Sequence, residues 1–291
     1  MSMFRTVVRL AVVIPLMFLV ACADTPDADA PGSDVLGVVF DDFGHVHGVG
    51  TNPADGAVFV AAHAGVYRLD PATNTGTRMA GRVQDTMGFT VTGPDTFLGS
   101  GHPDLREDLP PNLGLLRSTD AGRTWDTMSL SGEADLHAMD TSGDLVVAYD
   151  ALSGQVMSTT DGTSWSTLAA GDVRDLAVAP DGTVWIIDAI GALATIDDQT
   201  IVATDDGPSA ELGLIDVAPD GTVVVATPDG EILTRSADGT FRTTGSVPPG
   251  TQALDVADRW LIVSASAVHE SVDQGKTWTD LLTSSAVRSG P

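Results

Sequence analysis

Arg117–Trp125 reads Arg-Ser-Thr-Asp-Ala-Gly-Arg-Thr-Trp, and the pattern returns at Ser271–Trp278 as Ser-Val-Asp-Gln-Gly-Lys-Thr-Trp. Both fit Ser-x-Asp-x-Gly-x-Thr-Trp, a turn device. The Asp side chain bonds back to backbone amides, Gly takes the positive φ of a tight hairpin, and Thr-Trp resumes the strand. The Trp then offers a large apolar plate to pack beneath the hairpin. A degenerate copy occupies Ser158–Trp165, where Asp161 stands one place closer to Gly162. The turn-forming residues are therefore Ser118, Asp120, Gly122 and Trp125, then Asp161, Gly162 and Trp165, then Ser271, Asp273, Gly275 and Trp278.

Spacing extends this local reading to the whole chain. Trp125 and Trp165 lie about forty residues apart, and Pro180-Asp181-Gly182 and Pro219-Asp220-Gly221 are separated by nearly the same interval. Between these punctuation marks run short alternating segments with no helical period. A repeat of about forty residues holding about four short strands is a propeller blade. The expected fold is an all-β β-propeller of four-stranded antiparallel blades. Six blades can be laid out, at His45–Ala80, Asp85–Leu130, Ala134–Ala170, Val173–Thr204, Leu212–Pro248 and Gln252–Leu282. Seven is the alternative count. Val35–Phe40 is expected to supply a strand where the last blade meets the first. A closed ring has no free sheet edges, and a monomer is expected.

Ser118–Trp125 and Ser271–Trp278 resemble the Asp-box (BNR) repeat of sialidase-like β-propellers. From about Gly44 to Leu282 the chain is similar to bacterial lipoproteins described as glycosylhydrolase-like. The resemblance implies a propeller that serves as a ligand-binding or scaffold module, or alternatively a glycoside hydrolase.

The chain has 291 residues, with 14 basic against 40 acidic side chains. Nearly all the acids are Asp, many of them at turns such as Asp181-Gly182 and Asp220-Gly221, so much of the acidity is turn chemistry. A surface this negative repels phosphate backbones, and nucleic acid is not expected as a partner.

The N-terminus reads as a targeting segment. Arg5 and Arg9 precede the apolar run Leu10–Val20, which is too short for a membrane-spanning helix of about 20 residues. It ends Leu19-Val20-Ala21-Cys22, which resembles the bacterial lipobox. We therefore expect residues 1–21 to be a lipoprotein signal peptide. Residues 22–34 would carry the lipidated Cys22 and a flexible Asp-, Ala- and Pro-rich tether, and residues 35–291 would form one propeller domain. Cys22 is the only cysteine, which excludes an internal disulfide. The lipid would hold the protein to the cell membrane on its extracytoplasmic side, where carbohydrate or an envelope protein is the expected partner.

Blade order predicts a functional face. Turns between first and second strands, and between third and fourth, share one face of the disc. The remaining connections share the other. His45 and His47 begin a first strand, with i, i+2 spacing that puts both on one side of it. His63 and His102 fall in turns between second and third strands, and His137 lies near the start of another first strand. Asp85, Arg106 and Asp150 map to the same face, whereas His269 lies on an outer strand of the last blade. Imidazoles with a carboxylate suit a divalent transition metal such as zinc, copper or iron. The expected ligand-binding face thus comprises His45, His47, His63, Asp85, His102, Arg106, His137 and Asp150, its five histidines being candidate metal ligands. An organic ligand on the same histidines, or histidines that only fix loops, would use the same placement.

A glycosidase ordinarily needs two carboxyls across a sugar. Asp85, Glu107 and Asp150 are the candidates, and nothing in their spacing selects a pair. Sialidase chemistry is not expected: the Phe-Arg-Ile-Pro motif is absent, and only Arg82, Arg106 and Arg174 fall near the proposed face. Tyr149 adjoins that face in sequence. The connection Gly99–Gly114, carrying Arg106 and Glu107, is the longest in the domain, and long ordered loops are commonly functional.

Overall fold

The computed structural model describes residues 32–288 except Ala237; the expected leader and the expected lipidation at Cys22 lie outside the described residues. The chain forms a β-propeller. After β1 (Val35–Val38) the described residues form six antiparallel units of four strands, each running from channel to rim. The first is β2 (Val46–Thr51), β3 (Val58–Ala62), β4 (Gly65–Asp70) and β5 (Thr75–Arg78). The second is β6 (Asp85–Gly93), β7 (Thr96–His102), β8 (Leu115–Ser118) and β9 (Asp126–Ser129). The third is β10 (Leu136–Ser142), β11 (Leu145–Asp150), β12 (Gln155–Thr159) and β13 (Ser166–Ala170). The fourth is β14 (Val173–Val178), β15 (Val184–Asp188), β16 (Leu193–Asp197) and β17 (Thr200–Ala203). The fifth is β18 (Leu214–Val217), β19 (Val223–Ala226), β20 (Glu231–Arg235) and β21 (Phe241–Ser246). The sixth is β22 (Ala253–Val256), β23 (Trp260–Val263), β24 (Ala267–Ser271) and β25 (Thr279–Thr283). One parallel pair, Ala170 with Thr200, joins the rims of the third and fourth units.

The second strand of each unit explains why the core is cut into six wedges. Its side chains alternate between the two faces of its sheet, and both faces are covered by neighbouring units. Phe59 and Ala61 pack toward the second unit, whereas Val60 and Ala62 pack toward the sixth. Val147 and Tyr149 pack toward the fourth unit, and Val146 and Ala148 toward the second. Ile186 and Ile187 divide the same way between the third and fifth units, and so do Val223 and Val224 between the fourth and sixth. These strands therefore read as continuous apolar runs, as strands buried on both faces do.

The ring closes without exchanging a strand. All four strands of the sixth unit come from the C-terminal end, and β1 pairs with β5 on the rim of the first unit. The expected closing role of Val35–Phe40 is thus not what the structure has. Closure comes from a wedge of Phe43, Val60 and Tyr67 against Leu261, Val263 and Leu282. Polar ties add to it: Asn74 exchanges hydrogen bonds with Thr283, and Arg259 donates to Thr51 Oγ1 at 3.0 Å. On the rim of the first unit Gly32 N donates to Ala80 O and Asp34 accepts from Ala80 N at 2.9 Å.

The Ser-x-Asp-x-Gly-x-Thr-Trp turns link third to fourth strands. Ser118 Oγ donates to Asp120 Oδ1 at 2.9 Å and accepts from Gly122 N at 2.9 Å. Asp120 then accepts from Thr124 N at 2.8 Å and from its hydroxyl at 2.6 Å. Ser271, Asp273, Gly275 and Thr277 repeat this network. In the degenerate turn the hydroxyl comes from Thr159 rather than Ser158: Thr159 Oγ1 donates to Asp161 Oδ1 and accepts from Gly162 N. Trp165 Nε1 donates to Ser129 Oγ, tying that turn to the second unit.

Candidate functional site

The innermost strands surround a cavity of about 420 Å³. Its lining includes His45–Val49, Met87, His137–Asp140, Arg174–Leu176, Gly213–Asp216 and Thr251–Asp255. The histidines stand where β2 and β10 begin, at one end of this channel. They form two groups rather than one. His45, His47 and His63 cluster with ring centroids 4.7–5.8 Å apart. His102 and His137 meet instead over Asp135, a residue that the motif reading passed over.

In the first group, Asp85 Oδ1 lies 3.8 Å from His47 Nε2 and 3.8 Å from His63 Nε2. His47 Nε2 and Asp85 Oδ1 are both buried without a hydrogen-bond partner. Burial, then the positive potential of His45, His63 and His137, pushes the His47 imidazole down to about 3, so it is neutral at physiological pH. His45 is occupied elsewhere. Its Nδ1 pairs with Gln252 Oε1 at 2.7 Å, and the same oxygen accepts from Val46 N at 2.9 Å. His45 thus helps hold the first unit to the sixth.

In the second group, His137 Nε2 is 2.9 Å from Asp135 Oδ2, and His102 Nε2 is 3.8 Å from it. His102 Nδ1 is 2.8 Å from the Pro111 carbonyl, which fixes that nitrogen as a donor. Burial works to raise the Asp135 carboxyl, but the His137 hydrogen bond and the potentials of both histidines hold it below the usual range. Asp135 Oδ1 has no hydrogen-bond partner.

Several expected face residues serve the framework. Asp150 is buried, and its carboxylate accepts from Asp135 N, Leu152 N and Ser153 Oγ, so it caps a turn instead of reaching a ligand. Arg106 Nε and Nη2 bond Asp104, and Nη2 also donates to Gly81 O at 2.7 Å. Arg106, with backbone donors, holds the Asp104 carboxyl far below its usual value. Glu107 pairs with Arg82 at 2.6 Å. These contacts pin the long connection, which spans 103–114 because β7 runs on to His102. Arg174 lines the cavity but is committed to Glu211 and to the Leu212 and Ala189 carbonyls. Tyr149 packs in the wedge between the third and fourth units. His269 is buried between Asp280 and Ser264 on the rim side, apart from the other five.

Deeper in the channel is a feature the turn-based reading of Asp missed. Asp140, Asp175, Asp216 and Asp255 rise from four consecutive innermost strands. Three of them reach across to the next unit: Asp140 Oδ2 accepts from Val178 N at 2.7 Å, Asp175 Oδ2 from Ile215 N at 2.8 Å, and Asp216 Oδ2 from Val256 N at 2.6 Å. All four lie far from bulk solvent, yet each keeps some surface open to the channel. Burial pushes Asp140 up to about 6 and Asp175 and Asp255 up to about 7; Asp216 rises well above the usual carboxylate value. Asp255 Oδ2 has no hydrogen-bond partner. The signal was available in the sequence as a lone Asp inside an apolar strand, as in Leu-Ile-Asp-Val and Ala-Leu-Asp-Val.

No family model matches this chain, and no curated protein sequence does. Solved structures do. A gluconolactonase from Xanthomonas campestris superposes with TM-score 0.59 at 14% identity, over 76% of this chain and 83% of that one. A virginiamycin B lyase from Staphylococcus aureus gives 0.53 at 10% identity, over 84% and 86% of the two chains. YCF48 bound to D1 peptide gives 0.51 at 16% identity, over 86% and 84%. At such identities the likeness shows a shared β-propeller fold.

Proposed function

We propose that this chain is a ligand-binding propeller held outside the cytoplasmic membrane by a lipidated Cys22, built on the Asp-box plan. It takes a small ligand rich in hydrogen-bond donors into its channel through the histidine-bearing end. The observation that carries this reading is the ring of Asp140, Asp175, Asp216 and Asp255 around one cavity, beneath His45, His47 and His137. Each carboxyl accepts through its carbonyl oxygen while protonated and through both oxygens once ionised, and burial places that change at about 6 to 7 for Asp140, Asp175 and Asp255. The lining therefore suits amines or a polyhydroxylated saccharide and disfavours anions.

Thermal-shift and calorimetric titration with a linear polyamine, a neutral oligosaccharide and a sugar acid test the channel. A donor-rich compound is expected to bind, and Asp255→Asn with His137→Ala to weaken it. Preference for the sugar acid, or binding untouched by these substitutions, overturns the reading. The anchor is tested separately by fractionation: Cys22→Ser is expected to release the protein from the membrane.

Docking of an envelope polypeptide on the same face is a second reading. Leu105, Leu152 and Ile190 favour it, at 99%, 59% and 80% exposed, each in a connection between second and third strands. Glycoside hydrolysis has less support, because Glu107 and Asp150 are engaged in framework contacts.

A further inference from the structure

Three donor atoms at the channel end have no use in the framework as it stands. His47 Nε2, His63 Nε2 and an Asp85 carboxylate oxygen all lie within 4.8 Å of one another. The two 3.8 Å separations from Asp85 Oδ1 are too long for hydrogen bonds. A buried carboxylate oxygen and a buried imidazole nitrogen, each lacking a partner, normally cost free energy. An ion between them removes that cost. Zinc holds such ligands at about 2.0–2.2 Å, which sets tetrahedral neighbours roughly 3.3–3.6 Å apart; the two 3.8 Å separations need a contraction of a few tenths of an ångström, and the third pair, within 4.8 Å, at most about 1.5 Å.

We propose that His47, His63 and Asp85 form a mononuclear site for a divalent transition ion of the zinc type. Two imidazoles and one carboxylate are borderline donors suited to zinc, cobalt or nickel rather than to calcium or magnesium. Three protein ligands leave a coordination position open, as in sites where the ion itself meets a ligand. The His63 side chain is 49% exposed, which gives the ion a way in, while His47 at 12% anchors the inner side. His45 is outside the set, because its Nδ1 is held by Gln252. His102, Asp135 and His137 resemble it in composition, but Asp135 Oδ2 already engages His137 at 2.9 Å. The site does not depend on the channel ligand proposed above, since it is defined by the metal alone.

The test uses the full chain without a polyhistidine tag, stripped with chelator, then titrated with Zn²⁺ against a chromophoric competitor. Co²⁺ substitution supplies a spectroscopic readout. The expected result is one tight ion per chain and cobalt d–d bands without thiolate charge transfer. Asp85→Asn and His63→Gln are each expected to weaken binding by about tenfold or more. His63 is exposed enough that its replacement spares the fold, as circular dichroism will verify. No binding by the parent chain, binding retained by both ligand variants, or a thiolate band pointing to Cys22 would each overturn the assignment.

Discussion

Asp216 joins two units through one hydrogen bond: its Oδ2 accepts from Val256 N at 2.6 Å, across the boundary between the fifth and sixth. The acceptor serves whether or not the other oxygen carries a proton. With Asp140, Asp175 and Asp255 it retains that proton far above the ordinary carboxylate value, chiefly through burial. Between pH 4 and about 7 these four groups therefore bind more protons folded than unfolded, and they outnumber His47 and His269, whose lowered values pull the other way. Stability must fall as pH rises through that window. The melting temperature is expected to be higher at pH 5 than at pH 8, and Asp175→Asn with Asp255→Asn to flatten the slope. A melting curve that rises from pH 5 to 8 in the parent chain would contradict this.

The hairpin aspartates act in the opposite direction and in a different window. Asp273 is held down at about 2 by the hydroxyl and amide of Thr277. Its stabilisation is present above about pH 4 and lost only as pH falls through 2. Acid unfolding of the last hairpin should therefore appear well below the window of the channel carboxylates. Hydrogen exchange at Gly275 and Thr277 across pH 2–4 would register it.

Ser118 and Ser271 are buried, and each hydroxyl bridges an aspartate and a glycine amide. Alanine at either position leaves that amide without its acceptor. The expected cost is about 1–3 kcal/mol in each case, measured by urea unfolding. Similar values are expected because the serine-centred bonds of the two turns match.

The fold was legible because its determinants are local and repeated. Ser118–Trp125 and Ser271–Trp278 specify hairpins by turn chemistry, and the spacing between like turns specifies the unit. The site was legible only in part. His45, His47 and His63 converge because i, i+2 geometry and one short turn suffice to bring them together. Asp150 failed as a face residue because a turn Asp is satisfied by its own neighbours, which sequence position alone does not reveal. Asp135 and the four channel carboxylates escaped because abundant turn aspartates mask those lying within strands. Likewise, Val35–Phe40 was expected at the closure and instead gives β1 to the rim of the first unit: an apolar strand pattern says that a partner exists, not which edge supplies it.

Gly48 lies where β2 crowds against β6. A Cβ there would stand 2.8 Å from Phe89 Cβ. Gly48→Ala is expected to destabilise by about 1–3 kcal/mol through overpacking. Because His47 is its neighbour, the same change should also loosen the geometry around Asp85. Comparing unfolding free energy with Zn²⁺ affinity in this variant separates the two effects.

Gln252 is the polar hinge pin of ring closure. Its Oε1 accepts from Val46 N and pairs with His45 Nδ1, while its Nε2 donates to Ser264 O at 3.2 Å. Both ends of one side chain are thus fixed, one on the first unit and one on the sixth. Gln252→Ala removes these ties and leaves Val46 N without its acceptor, at an expected cost of about 1–3 kcal/mol. The apolar wedge of Phe43, Tyr67 and Leu261 should keep the ring closed on average. The loss should therefore appear as local opening: faster amide exchange at Val46 than at Leu176, which lies within an ordinary junction. Uniform acceleration at both positions would show that closure is no weaker than any other junction.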